Sequence, residues 1–345
     1  MKTRKTKATS TPTVKDVSRL AGVSTATVSR VLAGFEEVSD ETRKRVFEAV
    51  RTLNYQPNRN ARNLRMNINS KIGVIISDIQ NPFFSSVVRG IEKAAIKENY
   101  NILLGNSDED TEREKKLIAM LVEERVAGII LTPTNSDPEC YQALISSGIP
   151  YVIIDRRLPI HEVDMVLVDG FTGAVTAVEY LIGLKHTKIG FVGGLKHQPV
   201  MNEREQGYLA ALRKHNLPVL QRYIQYGNNR LEGGYSAVRE LLSLDQPPTA
   251  LLIANNLMTL GGLQAIHETG LDIPGQISLV GFDDMDWASS LRPPLTVVAQ
   301  PAFEMGETSA SVLLERTHTP DMTHRTVMLN TKLVIRASCR DMRVI

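Results

Sequence analysis

Apolar residues recur at helical spacing near the start of the chain and predict two short helices. Thr13 and Asp16, three residues apart, form a capping-box pattern at the start of the first helix. The apolar side of this helix consists of Val14, Val17 and Leu20. Gly22 ends it, and Ser24 is the predicted N-cap of the second helix. The apolar side of the second helix consists of Val28, Val31 and Leu32, with Gly34 as the stop.

A third helix is predicted from Ser39. Asp40 and Glu41 lie in its first turn, where negative charge is favourable, and its apolar stripe consists of Val46, Phe47, Val50 and Leu53. Two short helices joined by a turn that contains Gly22 form a helix-turn-helix. Three helices between residues 13 and 57 therefore predict a minimal DNA-binding module.

From residue 71 onward, short apolar runs alternate with amphipathic stretches. The predicted strands are Ile72–Ser77, Ile102–Leu104, Gly128–Leu131, Tyr151–Ile154, Met165–Val168, Lys188–Val192, Leu251–Ala254 and Ile277–Phe282. The predicted helices are Phe84–Asn99, Glu112–Glu124, Thr172–Leu184, Arg204–His215, Gly233–Leu244 and Leu257–His267. This alternation indicates a mostly parallel sheet covered on both faces. The similarity of KIGVI at residues 71–75 to KIGFV at 188–192 suggests two similar lobes, although so short an echo also arises by chance.

Charge is distributed unevenly along the 345 residues, whose formal net charge is +2. Residues 1–66 carry 14 Lys and Arg against 6 Asp and Glu, a net charge of +8, whereas residues 67–345 carry 26 against 32, a net charge of −6. A basic head predicts contact with a polyanion. The basic tail, residues 1–12, is expected to add unspecific attraction to phosphates.

A polar segment separates the helical module from the α/β region. Pro57 ends the module, and the next eight residues, NRNARNLR, contain three arginines. Isolated helices shorter than about 12–15 residues are marginal in water. The segment is therefore predicted to be a linker that becomes helical only when a partner holds it.

Polar residues follow the carboxyl ends of the predicted strands, where open α/β sheets bind ligands. They are Asp78, Asn81, Asn106, Thr132, Asp155, Arg156, Arg157, Asn255, Asn256, Asp283 and Asp284, with Arg204 expected to open a later helix. Carboxylates and amides bond hydroxyl groups, and the nearby Phe83 and Phe84 offer flat rings for stacking on a sugar. These groups suit a small polar or polyhydroxylated ligand. For any single Asp or Asn, a helix cap or a turn is an equally good explanation.

Sequence motifs for catalysis and for metal binding are absent. The chain has no G-x-G-x-x-G, Walker, G-x-S-x-G or H-E-x-x-H pattern, and its histidines lack metal-ligand spacing. Asp283 and Asp284 make a poor acid/base pair because adjacent residues at a strand end usually point in different directions. We therefore expect no enzyme activity, no cofactor and no metal.

The expected location is the cytoplasm. Two cysteines, Cys140 and Cys339, are too few for a disulfide framework and favour a reducing compartment. No apolar run follows the basic N-terminus, which argues against a secretory signal. The longest uncharged stretch, residues 246–267, contains Asn, Gln and Gly residues, so no membrane span or membrane partner is expected.

Taken together, the motifs resemble the LacI/GalR family of transcriptional regulators. The resemblance rests on TVKDVSRLAGVSTATVSRVL, ETRKRV, LNYQPNRNARNL, IGVII with the following NPFF, DRR, REQGY, LLIANN and ISLVGFDDMDWASSLRPPLTVVAQP. Each segment alone is weakly specific, but their order over residues 13–340 is highly specific. The resemblance implies an N-terminal all-α helix-turn-helix domain followed by an α/β two-lobed, periplasmic-binding-protein-like effector domain.

The resemblance also implies which residues contact DNA. Thr25, Ala26 and Arg30 match base-reading positions, where Arg can bond guanine and methyl groups can meet a thymine methyl. Asn58–Arg65 matches a minor-groove hinge helix, and Leu64 matches a leucine that wedges between base pairs. The expected contacts are Thr25, Ala26, Thr27, Ser29, Arg30, Ser39, Thr42, Tyr55, Asn58, Ala61, Arg62, Leu64 and Arg65. The alternatives are a helical bundle with a solvated polar face and, for Leu64, plain helix packing.

An effector site between the two lobes is the second implication. Its expected residues are Phe83, Phe84, Asp155, Arg156, Arg204, Asn255, Asp283 and Trp287. Trp287, the only tryptophan, is either a stacking face or a packed surface residue. Two positions depart from the family pattern: Ala33 replaces a frequent Asn and removes one phosphate contact, and Asn256 replaces a common Asp. The second departure puts the ligand class in question; the expected effector is a sugar or a sugar acid, and purines stay open as an alternative.

The expected protein is a homodimeric, effector-responsive repressor that binds a palindromic operator in double-stranded DNA. Its expected domains are a tail (1–12), a helix-turn-helix (13–57), a hinge (58–66) and a body (67–345), with lobe 1 at 70–166 and 297–325 and lobe 2 at 167–296 and 326–340. The expected dimer face uses Val87, Val88, Ile91, Leu257 and Leu260. The alternatives are a sugar-binding protein that feeds a transporter and a sugar-modifying enzyme on the same α/β body.

Overall fold

In a computed structural model the chain divides into two compact units, residues 1–69 and residues 70–345. The structure describes residues 12–32, 38–55, 70–160 and 162–343. These residues form eleven α-helices, numbered α1 to α11, and twelve β-strands, numbered β1 to β12.

The described part of the first unit is a cluster of three short helices. They are α1 Val14–Ala21, α2 Thr25–Leu32 and α3 Asp40–Thr52. The capping box is confirmed, since the Thr13 amide donates to Asp16 Oδ2 at 2.9 Å and the Thr13 hydroxyl donates to the same oxygen. Gly22 ends α1 with φ of 63°, a left-handed conformation that glycine adopts without steric cost.

Valines fill the core of this helical unit. Val17, Val28 and Val46 are completely buried, and they draw the three helices together. Two residues predicted on apolar faces are not buried: Leu20 is 53% exposed and Phe47 is 44% exposed. Only a narrow face of a short helix contacts the core, and in α1 and α3 valine and alanine occupy this face. Leu20 and Phe47 therefore stay at the surface. The predicted stop at Gly34 lies outside the described residues.

The second unit contains two lobes, each built on a six-stranded sheet. Sheet 1, in lobe 1, contains β1 Lys71–Ile76, β2 Asn101–Asn106, β3 Gly128–Leu131, β4 Tyr151–Ile154, β5 Asp164–Val168 and β11 Thr326–Leu329. Sheet 2, in lobe 2, contains β6 Ile189–Gly193, β7 Ile224–Tyr226, β8 Ala250–Ile253, β9 Ser278–Phe282, β10 Thr296–Ala299 and β12 Lys332–Val334. The strand orders are β11-β5-β4-β3-β1-β2 and β12-β10-β9-β8-β6-β7. All neighbouring strands are parallel except the antiparallel pair β10 and β12.

Helices cover the two sheets. They are α4 Pro82–Lys97, α5 Thr111–Glu123, α6 Gln142–Ser146, α7 Gly170–Gly183, α8 Pro199–Lys214, α9 Leu231–Leu242, α10 Asn256–Glu268 and α11 Ala302–His318. Strands β1 and β6, which carry the sequence echo, each lie second from one edge of their sheet. The echo therefore marks equivalent strands of two similar lobes.

The chain crosses between the lobes after β5, after β10 and after β11. Strand β10 lies in sheet 2 and β11 lies in sheet 1, so the expected lobe boundaries are wrong at these two strands. The first return to lobe 1 follows Ala299, and the last crossing lies between Leu329 and Lys332. No strand is predicted from the sequence at β10, β11 or β12, so the expected boundaries fall after the first residue of β10 and directly before β11.

Helices α4 and α11 pack closely against each other in lobe 1. A Cβ at Gly90 would lie 2.1 Å from the Phe303 carbonyl oxygen, and a Cβ at Gly306 would lie 2.0 Å from that of Val87. Two glycines thus allow the backbones to meet. The same face of α4 carries Val87 and Ile91, which are completely buried in the core of the lobe.

This packing corrects part of the expected dimer face. Val87 and Ile91 contact the lobe's own core and have no surface to offer a second chain. Val88 is partly buried against the same core. Leu257 and Leu260 on α10 are half-buried and stay a prediction.

Candidate functional site

A cleft between the two lobes collects the residues that follow the strands. Because parallel strands end at a common edge, the loops after β1, β2, β4, β6, β7, β8, β9 and β10 all reach it. The lining residues are Asp78, Asn81, Phe83, Phe84, Glu109, Asp155, Arg156, Gln198, Val200, Met201, Arg204, Asn228, Asn229, Arg230, Asn255, Asp283 and Gln300. Seven of the eight residues expected at an effector site are among them.

Asp155 and Asp283 are buried carboxylates at the ends of β4 and β9. Both have left-handed backbones, with φ of 65° and 68°, a conformation that few residues other than glycine adopt. Burial raises the pKa of Asp155 to about 6, against the opposing influence of Arg156 and Arg204. Burial also raises the pKa of Asp283, although Arg204 and a hydrogen bond from Gln300 oppose it. Both carboxylates are poised to accept hydrogen bonds from a ligand.

Arg204 brings positive charge to the same cleft. Arg204 is only 3% exposed, and its guanidinium lies 4.3 Å from the centre of the Phe282 ring. Nη1 donates to the Ala254 carbonyl oxygen at 2.5 Å. Nε is buried and has no hydrogen-bond partner among the described residues.

The position of Arg204 in its helix differs from the prediction. Helix α8 begins at Pro199, and Arg204 lies in its second turn rather than at its start. Proline is favoured at the first helical position because its missing N–H needs no partner there. Gln198 and Met201, which precede Arg204, consequently also line the cleft.

Three further cleft residues lie at the N-terminal ends of helices: Asn255 at α10, and Phe83 and Phe84 at α4. Asn255 caps α10 by accepting from the Met258 amide at 2.8 Å. Phe83 and Phe84 follow Pro82 in the first turn of α4, are 4% exposed, and contact each other edge to face with ring centres 5.1 Å apart. They give the cleft an apolar wall.

Arg156 lines the cleft, but its donors are already engaged. Its Nη1 and Nη2 donate to the two carboxylate oxygens of Glu109 at 2.8 and 2.5 Å, and Nη2 also donates to Ser77 Oγ at 3.2 Å. Gln198 joins this group from lobe 2, because its Nε2 donates to Glu109 Oε2 at 3.2 Å. Arg156 therefore holds the wall of the cleft together.

Trp287 is not brought to the cleft. It is half-buried against the apolar core of lobe 2, together with Leu291, and is absent from the cleft lining. A position only four residues from a cleft aspartate therefore belongs to the packing of the lobe. The stacking role expected for Trp287 is corrected accordingly.

Several cleft residues were missed because their strands were missed. Asn228, Asn229 and Arg230 follow β7, which has only three residues, and Gln300 follows β10. Glu109 lies three residues after β2, which ends at Asn106, and five residues after the end of the predicted strand at Leu104. All of these residues follow the carboxyl end of a strand, so they can be located from the sequence once every strand is recognised.

The DNA-contacting candidates on α2 share one exposed face. Thr25, Ala26, Ser29 and Arg30 are exposed, whereas Val28 and Val31 on the opposite side are buried. Thr27 contributes to the helix cap, since its amide donates to Ser24 Oγ at 3.0 Å.

The remaining candidates of the first unit have different surroundings. Ser39 caps α3 and its hydroxyl donates to Thr42 Oγ1 at 3.0 Å, and Tyr55 packs against the helical core. The candidates Asn58, Ala61, Arg62, Leu64 and Arg65, together with Ala33, lie outside the described residues.

The described residues contain neither a metal-binding cluster nor a membrane-spanning helix. No group of three or more His, Cys, Asp or Glu side chains in the described ranges is arranged to hold a metal ion. Among the helices that the structure describes, none is long and apolar enough to cross a membrane.

Comparison with known proteins gives consistent matches. Residues 13–58 match the model of bacterial regulatory proteins of the lacI family, and residues 178–339 match that of a periplasmic binding protein-like domain. The HTH-type transcriptional repressor CytR of Escherichia coli K12 is 35% identical over 328 residues, covering 95% of this chain and 96% of its own. The HTH-type transcriptional repressor PurR of Mannheimia succiniciproducens is 32% identical over 329 residues, covering 95% and 98%.

Solved structures agree with this result. The lac repressor dimer bound to operator and the anti-inducer ONPF has a TM-score of 0.86 at 29% identity, covering 95% of this chain and 99% of its own. The complex of the transcriptional regulator CelR with cellobiose has a TM-score of 0.73 at 30% identity, with the same coverage.

Proposed function

The chain belongs to the LacI family of bacterial regulatory proteins, and we propose that it represses transcription by binding a palindromic operator as a homodimer under the control of a small effector. Its curated relatives are transcriptional repressors, and it is a regulator rather than an enzyme. In this proposal it acts in the cytoplasm, where its operator DNA lies.

The exposed face of α2 supports the DNA-binding part of the proposal. Thr25, Ala26, Ser29 and Arg30 point outward on a helix whose other side is held by the valine core. A recognition helix places its N-terminal residues against base edges in the major groove, where Arg30 can bond guanine through two hydrogen bonds. The net charge of +8 in residues 1–66 attracts the phosphate backbone.

The hinge supplies the second part of operator recognition. We assign Asn58 to Arg65 to a helix that folds on DNA, with Leu64 between the central base pairs of the minor groove. Two chains related by a two-fold axis present two such helices to an inverted repeat. The cost of bending the central step is offset by the contacts that the bend permits.

The observation that carries the effector assignment is the group of Asp155, Asp283 and Arg204. Two buried carboxylates accept hydrogen bonds, and the unpartnered Nε–H of Arg204 donates one. A neutral sugar offers hydroxyl donors and acceptors in several directions, so it satisfies all three groups. A ligand with a carboxylate or phosphate would instead face two carboxylates in a buried cleft.

A nucleobase is the second candidate, since Phe83 and Phe84 place aromatic rings in the same cleft. A thermal-shift screen of sugars, sugar acids and nucleobases separates the candidates. We expect a neutral sugar to raise the melting temperature of the wild type and to leave Arg204→Ala unchanged. If a ligand stabilises both proteins equally, it binds elsewhere and the cleft assignment fails. If a candidate sugar is chemically converted during incubation, the chain is an enzyme.

The DNA-binding part has its own test. Selection from a random duplex library should enrich an inverted repeat, and sedimentation of the complex should give two chains per duplex. Enrichment of no common sequence would contradict the proposal, as would binding of one chain per site.

A further inference from the structure

Among the residues that the structure describes, hydrogen bonds or ion pairs join side chains of lobe 1 and lobe 2 across the cleft at four places. The pairs are Asn81 with Asn256, Glu109 with Gln198, Asp108 with Arg230, and Arg157 with Glu203. The last two are ion pairs at 3.3 Å whose side chains are one-third to one-half exposed. Exposed ion pairs are weak and are screened by salt, so these two contribute little to holding the lobes together.

One of the two part-buried contacts joins two asparagines. Asn256 is 1% exposed, and its Nδ2 donates to Asn81 Oδ1 at 2.8 Å. Asn81 belongs to lobe 1, where it caps α4, and Asn256 is the first residue of α10 in lobe 2.

The orientation of both amides is fixed by their backbones. Asn81 Oδ1 also accepts from the Phe83 amide at 3.0 Å, so it must present oxygen to the other lobe. Asn256 Oδ1 accepts from the Leu257 amide at 2.6 Å, so it must present nitrogen. Donor and acceptor are thus matched across the cleft, and turning either amide around would break a local hydrogen bond.

We propose that Asn81 and Asn256 form a latch that holds the two lobes closed. The inference rests on the proposed function of the cleft as the effector site, whose regulation it describes. The hydrogen bond exists only when the lobes meet, and it is part-buried, so it favours the closed arrangement more strongly than the exposed ion pairs do.

The latch requires asparagine at position 256. An aspartate there would place a carboxylate oxygen against Asn81 Oδ1, and two acceptors repel each other. Rotation of the Asn81 amide would remove this repulsion, but it would also break the hydrogen bond from the Phe83 amide that caps α4. The asparagine therefore gives this chain a bond that an aspartate cannot form.

The latch changes the rates at which an effector binds and leaves, and it changes the apparent affinity of the effector. A ligand enclosed by both lobes enters and leaves only when the lobes part, so the latch slows both steps. It also raises the population of the closed state, and a ligand that binds this state gains apparent affinity in proportion.

Hydrogen–deuterium exchange of the full-length protein tests the proposal without DNA or effector. The two latch variants are Asn256→Asp, which replaces the donor, and Asn81→Ser, which retains a good N-cap but is too short to reach the other lobe. We expect both to exchange about three- to tenfold faster in the peptides around residues 78–86 and 254–260, the change for loss of one net hydrogen bond. The matched control is Asn216→Asp, an exposed turn residue of lobe 2 that should exchange like the wild type.

Each alternative outcome overturns the latch. Wild-type exchange in both variants would show that the asparagine pair does not hold the lobes. Faster exchange in Asn256→Asp alone would assign the effect to local charge. Equal acceleration in Asn216→Asp would assign it to the added charge on the lobe.

The test is independent of the proposed function. A wild type that selects no operator contradicts the proposed function and leaves the exchange result standing. Failure of the exchange test leaves operator binding standing.

Discussion

Asp155 and Asp283 show how single residues define the site. Each follows a buried strand, adopts a left-handed backbone and lies beside Arg204, and burial raises the pKa of both carboxyl groups. Strained backbone and shifted pKa values at one cleft are typical of functional sites.

Glu114 is a buried carboxyl group outside the cleft contacts, and it gives a pH prediction. Burial raises its pKa from 4.5 to about 7, although the Thr134 amide and hydroxyl donate to it. The folded state therefore holds the proton more tightly than the unfolded state. Its stabilising contribution is present below pH 4.5 and is lost as the pH rises to about 7.

We expect Glu114→Gln to abolish this loss. At pH 8 the variant should exceed the wild type in free energy of unfolding by up to about 3 kcal/mol, and at pH 4.5 the two should be similar. Urea denaturation at both pH values measures the difference. A constant difference between the two proteins at both pH values would contradict the assignment.

Arg30 gives a prediction for DNA binding. Arg30→Ala should weaken binding to a selected operator by about 1–3 kcal/mol and relax specificity at one base pair, since it removes the bidentate contact with guanine that we propose for Arg30. Fluorescence anisotropy on matched and mismatched duplexes measures both effects. Arg19→Ala, an exposed arginine on α1, is the charge-matched control, and an equal loss in both variants would point to general electrostatics.

The sequence identified Asp155, Arg204, Asn255 and Asp283 because residues at strand ends can be found once the strands are recognised. It could not place Trp287, since the direction of a loop after a strand depends on packing with the lobe. It also could not show that Arg156 is held by Glu109, because the two are 47 residues apart and meet only in the fold.

At the scale of elements, apolar runs predicted the central strands well. β1, β3, β4, β8 and β9 are buried on both faces, and each was predicted to within a residue or two. Strands β7, β11 and β12 lie at sheet edges, have three or four residues and expose part of their side chains. Such short runs carry too little periodicity to be recognised in sequence.

The contact of α4 with α11 gives a prediction at this scale. Gly306→Ala should lower the free energy of unfolding by about 1–3 kcal/mol, because its Cβ would press on the Val87 carbonyl oxygen. Gly183→Ala is the control, since a Cβ there meets no atom within 4 Å at the end of α7. The control should be neutral or slightly stabilising because alanine has the higher helix propensity. Thermal denaturation compares the two, and equal effects would contradict close packing.

At the scale of the whole molecule, the chain joins two units with opposite charge. In the proposed function, the basic first unit and the hinge bind DNA, and the acidic second unit senses a small molecule. If effector and operator influence each other, the coupling must be reciprocal: an effector that weakens operator binding must itself bind less tightly to the operator complex. The near-neutral net charge of +2 is the sum of these two parts.

Operator affinity measured with and without the stabilising ligand tests the central claim most directly. For the wild type, we expect the ligand from the thermal-shift screen to change the dissociation constant for the selected operator by about 5- to 150-fold. Arg204→Ala should bind the operator with unchanged affinity and show no response to the ligand. An operator affinity in the wild type that stays the same at saturating ligand would contradict the account.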